Sequence, residues 1–360
     1  MHMADALLAP AVAAGMYVLS GTAAGVSIHE LRKEEIKYRE PLKKKLPAMA
    51  VMSALVFAGQ MINYTIPGTG SSGHLCGGML LSCVLGPFAG FLCMITVLAI
   101  QCLFFADGGL LALGANVWNM AFYGCFVGYF LIYRPLMHGK WGATRKKLIV
   151  ASLAGCVLTL QLGAFSVVLE TSLSGITELP FGAFLALMQP IHLAIGLVEG
   201  AITAAVLVFL YEARPELLRE TDAAGQASGK YSFRSTIVIL ALTAVVTGGG
   251  LSLLASSNPD GLEWSLFGNA EAGYASNMGL DEEAYGITGD ALEHAASIQE
   301  KTAFLPDYAF SRDTDNPAGT SVSGLVGIVL VAAASGLICL AGGYARKRRE
   351  DEAGQAGGTV

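Results

Sequence analysis

The chain reads as an all-α protein that crosses a membrane many times, and three observations predict this. Hydrophobic residues make up 54% of the 360 and charged residues only 14%, with mean hydropathy +0.56, where a soluble domain is about a quarter charged. Apolar runs of about 17–25 residues recur, the length a helix needs to cross the hydrocarbon core. Short basic clusters separate these runs and hold 20 of the 22 Lys and Arg residues. By the positive-inside rule those clusters are cytoplasmic, which nine spans satisfy with the N-terminus outside and the C-terminus inside.

Span one covers about residues 6–27 and is followed by a segment, 29–46, with seven Lys or Arg. The start, MHMADALLAP, has no basic region and no small-residue cleavage site, so it is read as retained. Span two, about 47–66, delivers a glycine-rich loop, 67–74, to the same outer side as Met1. Between His74 and Arg134 there is no Lys or Arg, and breaks fall at Gly86-Pro87 and Asp107-Gly108-Gly109. That length suits three crossings, the first of them short. Span six is about 148–170 and span seven about 181–211, with Pro190 inside it, which a membrane helix can keep when neighbours satisfy the freed backbone groups.

Residues 213–234 are polar and read as a cytoplasmic linker. Span eight, about 235–254, leads to an acidic outer domain, 255–322, and span nine, about 323–343, returns to the basic group Arg346-Lys347-Arg348-Arg349. The expected organisation is a first module of about seven spans (1–212), the linker, a two-span second module (235–349) and a disordered tail (350–360). Seven cysteines lie in or beside apolar runs with no CxxC pair, which argues for packing rather than a disulfide framework or thiolate site.

The chemistry centres on Met1-His2 and the loop that ends at His74. A free α-amine, the backbone nitrogen of residue 2 and the His2 imidazole can close adjacent five- and six-membered chelate rings on a metal. A second imidazole, from His74, would complete a near-planar four-nitrogen site that suits Ni²⁺, Cu²⁺ or low-spin Co²⁺ better than Zn²⁺. The plain alternative is a start methionine, a polar second residue and an ordinary glycine turn. Sharing one outer face makes the metal reading the better of the two.

Other features have two readings each. His192 and Glu199, seven apart on span seven, lie on one helical face and suit structural or ligand-supporting roles. Ala50, Ala54 and Ala58 form a small-residue stripe on span two, for packing within the bundle or against a partner. The outer domain holds twelve acidic residues against two basic, which would gather divalent cations or simply be a solvated face. Residues 225–231 fall one short of a phosphate-binding loop and lack its Ser or Thr, so the chain itself does not hydrolyse ATP. Nothing points to nucleic acid.

The segments MHMADAL, Asn63 through Gly78 with the core GTGSSGH, and FADGGLL at 105–111 resemble the substrate-binding M component of energy-coupling-factor (ECF) importers for cobalt and nickel, the CbiM/NikM family. The likeness covers roughly residues 1–212. Residues 235–349 resemble the small N component, with the signature Pro259-Asp260-Gly261-Leu262-Glu263, of no evident role.

The resemblance implies a helical bundle like that of ECF S components, extended by an N-terminal helix. It implies metal ligation by Met1, His2 and His74, with Asn63, Ser71 and Ser72 as candidates to support those ligands. It also implies a transmembrane T component and two cytoplasmic ATPases as separate chains, with Ala50, Ala54 and Ala58 on the T-facing side. Co²⁺ or Ni²⁺, cobalt slightly favoured, would be transported cargo rather than a resident cofactor, in a lipid bilayer at the prokaryotic inner membrane. The alternatives are an intramembrane metalloenzyme, which lacks a general base placed beside His2 and His74, a nickel-dedicated importer, and a passive channel, which four strong donors disfavour.

Overall fold

The computed structural model describes residues 2–38, 46–139, 142–175, 180–221, 229–270, 272–275, 285–314 and 316–356, the side chains of 35–38 and 338–356 excepted. Met1, the middle of the linker (222–228) and the last four residues (357–360) therefore lie outside the described residues.

Helix α1 spans Pro10–Tyr38. Proline suits a first helical turn because the N–H it lacks would have no partner there. The helix continues past the apolar run into the basic segment, and so exceeds the span expected. The apolar α2, Leu46–Gln60, is followed by an antiparallel hairpin of β1, Tyr64–Ile66, and β2, Ser71–Gly73, paired Tyr64 with Gly73 and Ile66 with Ser71. Gly68 and Gly70 at φ 79° and 71° make the hairpin turn, a conformation most side chains resist. Gly68 and Gly70 are thus turn residues, while a Cβ at Gly73 would stand 2.5 Å from Ile195 and one at Gly77 closer still to Val56, so those glycines serve close packing; the hairpin leads into His74.

Helix α3, Gly78–Leu85, has only 8 residues and reaches about 12 Å at 1.5 Å per residue, too short to cross alone. Helix α4, Pro87–Phe105, and α5, Leu113–Met137, are long and apolar enough to cross; α5 is wound wide, as a π-helix, over Trp118–Tyr133. The next pair, α6 (Arg145–Leu173) and α7 (Phe181–Ala213, with Pro190 inside), packs along its length. The second module contributes α8, Phe233–Gly249, and α11, Pro317–Ala356. Between them lie α9 (Gly261–Phe267), the short strands β3 (Gly268–Asn269) and β4 (Tyr274–Ala275), and α10 (Asp290–Thr302).

Among the described residues six helices are long and apolar enough to cross a membrane, and α2 and α8 are shorter apolar helices. The chain is a multi-pass helical membrane protein. The difference from nine full spans lies in α3, which covers part of the thickness, and in α2 and α8, of 15 and 17 residues.

The second module is not a separate body. Both α8 and α11 pack against α2, and a Cβ at Gly248 of α8 would sit 3.4 Å from that of Ala58. Ala54 and Ala58 are 4% and 0% exposed. Burial of Ala54 and Ala58, with Ala58 against Gly248, supports the packing reading of the alanine stripe, while half-buried Ala50 keeps surface for another chain. The described ends of the linker are anchored too, with Arg219 N–H donating to Cys83 O at 2.8 Å and Tyr133 Oη to Arg219 O at 2.7 Å. Among the described residues six cysteines are buried and none forms a disulfide, in keeping with small packing residues.

Candidate metal centre

The residues before α1 do not trail into solvent but thread into one end of the bundle. Met3 and Leu8 are fully buried. The Met3 N–H donates to Asn116 Oδ1 at 2.7 Å, and Asn116 Nδ2 returns a bond to Met3 O at 3.1 Å. The same carbonyl accepts the Gly109 N–H at 2.9 Å, and Asp5 Oδ1 accepts the Ala112 N–H at 2.9 Å. Four bonds within three residues leave the chain no slack, so His2 is delivered to a fixed point.

His74 comes to that point from the hairpin. Behind it the two oxygens of Glu199 on α7 accept the N–H groups of Cys76 (2.8 Å) and Gly77 (2.9 Å), and Gln60 Nε2 donates to Cys76 O at 2.7 Å. An intramembrane carboxyl is costly unless partnered, and here it is an anchor for the loop two residues past His74. Replacing Glu199 by Gln turns one acceptor into a donor facing an N–H. Metal affinity is expected to fall about tenfold with both imidazoles present, since a bond to a charged group is worth about 1.5–3 kcal/mol. Titration of the purified variant with Ni²⁺ checks this, and unchanged affinity would mean the loop holds itself.

The two imidazoles meet face to face, ring centroids 5.0 Å apart and planes 22° from parallel. The His74 Nδ1–H donates to Leu75 O at 2.9 Å, which fixes the tautomer with its lone pair on Nε2. His2 Nδ1 lies 3.1 Å from Asp107 Oδ1, and its buried Nε2 has no hydrogen-bond partner among the described residues. Burial pushes both imidazoles below the ordinary histidine value, that of His74 to about 3, with Asp107 opposing the shift at His2. Both rings are therefore neutral at neutral pH, the state a metal ligand needs. Two imidazoles, with a peptide nitrogen on His2 itself, form a nitrogen-rich set that suits the later first-row cations.

The five-residue signature closes this end of the bundle. The Pro259 carbonyl accepts the Ser72 N–H at 2.8 Å, and Asp260 caps α9 by accepting from Leu262 and Glu263 at 2.8 and 2.9 Å. Glu263 reaches back to the Asp260 N–H, completing a capping box. At Gly261 a Cβ would stand 2.7 Å from Ile191 and 3.2 Å from the His192 ring, so only glycine lets α9 lie on α7. Leu262 is buried. A cavity of about 340 Å³ runs between this motif and the N-terminal segment, lined by His2, Ala4, Leu7, Asp260, Glu263 and Tyr285.

The remaining candidates hold the loop rather than touch the rings. The Asn63 carbonyl accepts the Ser256 N–H at 2.7 Å, Ser71 Oγ pairs with Thr69 Oγ1, and Ser72 Oγ donates to Asn258 O at 2.8 Å. His192, 1% exposed, donates from Nδ1 to Met188 O and lies under Gly261. Sequence reasoning missed Asp107 and Asn116. The signal for Asn116 was a polar residue within an apolar run, which in a membrane faces the bundle interior.

Residues 2–217 match the family described as "Cobalt uptake substrate-specific transmembrane region", CbiM, and residues 234–342 match the PDGLE domain. A protein of Archaeoglobus fulgidus named putative fused nickel transport protein NikMN is 35% identical, over 92% of this chain and 96% of that one. The fused nickel transport protein NikMN of Rhodobacter capsulatus is 29% identical over 94% and 96%. The cobalt transport protein CbiM of Geobacter sulfurreducens is 31% identical over 67% and 68%. The relatives are transport proteins, in keeping with a transporter subunit rather than an enzyme. With its matched bundle, its buried histidine pair and the domain packed above them, the chain belongs to the CbiM family of cobalt uptake substrate-specific transmembrane regions, and it carries a PDGLE domain as its second part.

Proposed function

We propose that this chain is the substrate-binding membrane subunit of an ATP-driven ECF importer for a divalent transition metal. The cation is held by the Met1 amine, the His2 backbone nitrogen and imidazole, and the His74 imidazole. The observation that carries the reading is the convergence of His2 and His74, 72 positions apart in sequence, into one buried pair of neutral imidazoles. Buried neutral rings cost little to keep and bind a soft or borderline cation readily, whereas Mg²⁺ and Ca²⁺ prefer oxygen donors.

Nickel is the proposed cargo, because two relatives that match along more than nine-tenths of the chain are named for nickel. A T component and two ATPases, as separate chains, supply assembly and energy. The N-terminus faces outward at a prokaryotic cell membrane, since the basic clusters gather at the opposite ends of the helices. Metal content of the protein purified from cells supplied with equal Ni²⁺ and Co²⁺ tests the proposal. Nickel at about one ion per chain is expected; cobalt in excess would reassign the cargo, and neither metal would remove the centre.

A further inference from the structure

The acidic outer domain does more than sit above the centre, for it reaches the segment that carries Asp107 at three places. Gln299 on α10 donates to Cys102 O at 3.1 Å and Gly108 O at 2.9 Å, the Leu305 N–H donates to Phe104 O at 3.3 Å, and Tyr308 Oη donates to Asp107 Oδ2 at 2.5 Å. The other oxygen of the same carboxylate faces His2 Nδ1 at 3.1 Å. A continuous path therefore runs from the phenol of Tyr308 through Asp107 to the imidazole.

The backbone is bent to make this path. Asp307 and Tyr308 both take left-handed conformations, φ 52° and 57°, and Ala106 does the same at φ 55° where α4 ends and the chain turns to Asp107. Non-glycine residues held in that region are strained, and such strain clusters where the surroundings over-determine a functional geometry. The Tyr308 ring is stacked on Phe105, centroids 4.9 Å apart and planes 19° from parallel. Packing thus aims the ring, and the hydroxyl has one acceptor to serve.

We propose that Tyr308 is a positioning residue of the metal centre: by holding one oxygen of Asp107 it sets the carboxylate against His2, so that the outer domain governs how tightly the centre holds its cation. A carboxylate held beside a bound cation favours it by charge, and even in a partly screened site that attraction is worth about tenfold or more in affinity. Chelation through the His2 backbone nitrogen also uses Nδ1, the nitrogen that Asp107 faces. A bound cation therefore takes the place of the Nδ1 proton, and the Asp107 carboxylate, still held by Tyr308, stands beside it as counter-charge rather than as a hydrogen-bond acceptor. The inference rests on the proposed His2 and His74 centre.

The test is Ni²⁺ titration of the full chain in detergent, read by equilibrium dialysis and by the visible absorption of bound Ni²⁺, which reports the ligand field. Tyr308→Phe keeps the ring on Phe105 and removes only the hydroxyl. With the carboxylate no longer held in place beside the cation, the variant is expected to weaken binding about tenfold and to shift the absorption band. Asp107→Ala should weaken binding at least as much, and the double variant no further than Asp107→Ala alone, as for residues acting in series. Wild-type affinity with an unshifted band in Tyr308→Phe overturns the proposal, as does full additivity in the double variant. His2→Ala runs alongside: if it binds like wild type, the centre itself is misassigned and the proposal goes with it, whereas its loss of binding beside a wild-type Tyr308→Phe rejects the positioning role alone.

Discussion

Metal uptake is expected to fall to background in His2→Ala and in His74→Ala, at unchanged abundance of the protein in the membrane. In the proposed site each substitution would remove one of four nitrogen donors, and losing a donor should exceed the roughly 10–100-fold loss expected when only a ligand's outer partner is removed. The fold should survive both changes. His2 lies ahead of the helices, and Met3 onward is held by Asn116, Gly109 and Ala112 independently of the ring. The His74 loop keeps its anchors on Glu199 and Gln60. Uptake of radioactive Ni²⁺ by cells carrying each variant, normalised to protein, decides the matter; a rate near wild type in either would remove that histidine from the centre.

Adding a single residue before Met1 should be as damaging as losing His2. The α-amine becomes an amide, a far poorer donor, and the new residue needs room at the buried end of the bundle. Fully buried Met3, bonded on both its N–H and its carbonyl, cannot slide to make that room. Uptake should drop to background in the extended protein, while a tag after Val360 should leave it unchanged, because a membrane span, Pro317–Leu337, and a polar tail separate that end from the outer domain in sequence. Normal transport by the extended chain would show that the amine is not a ligand.

Hydropathy and charge were enough to read a polytopic helical bundle, since the bilayer imposes both a length and an apolar composition on whatever crosses it. The meeting of His2 and His74 was legible for a related reason. Counting crossings places the chain's start and the glycine loop at the same end, and the structure brings the two rings to 5.0 Å. The shortness of α3 was hinted at by the break at Gly86-Pro87, but not that it would measure only 8 residues.

What the sequence could not tell was which face of each helix meets which neighbour. A stripe of alanines on α2 is the same string of letters whether it packs on a separate chain or on this chain's own α8 and α11, and only the structure shows Ala54 and Ala58 buried within the chain, Ala58 against Gly248. Glu199, Asp107 and Tyr308 are equally mute, because a polar side chain acquires its role from a partner more than a hundred positions away, or two hundred for Tyr308 and Asp107. The PDGLE signature shows the same division most plainly. Its capping box was local and written in the spacing of Asp260 and Glu263. The need for glycine at 261 exists only because α9 lies against Ile191 and His192, a steric demand that arises when two distant helices touch. Local order and membrane spans follow from the residues and their solvent, while the wiring of the metal centre follows from tertiary contact, where burial makes each unpartnered polar atom costly and so selects its partner.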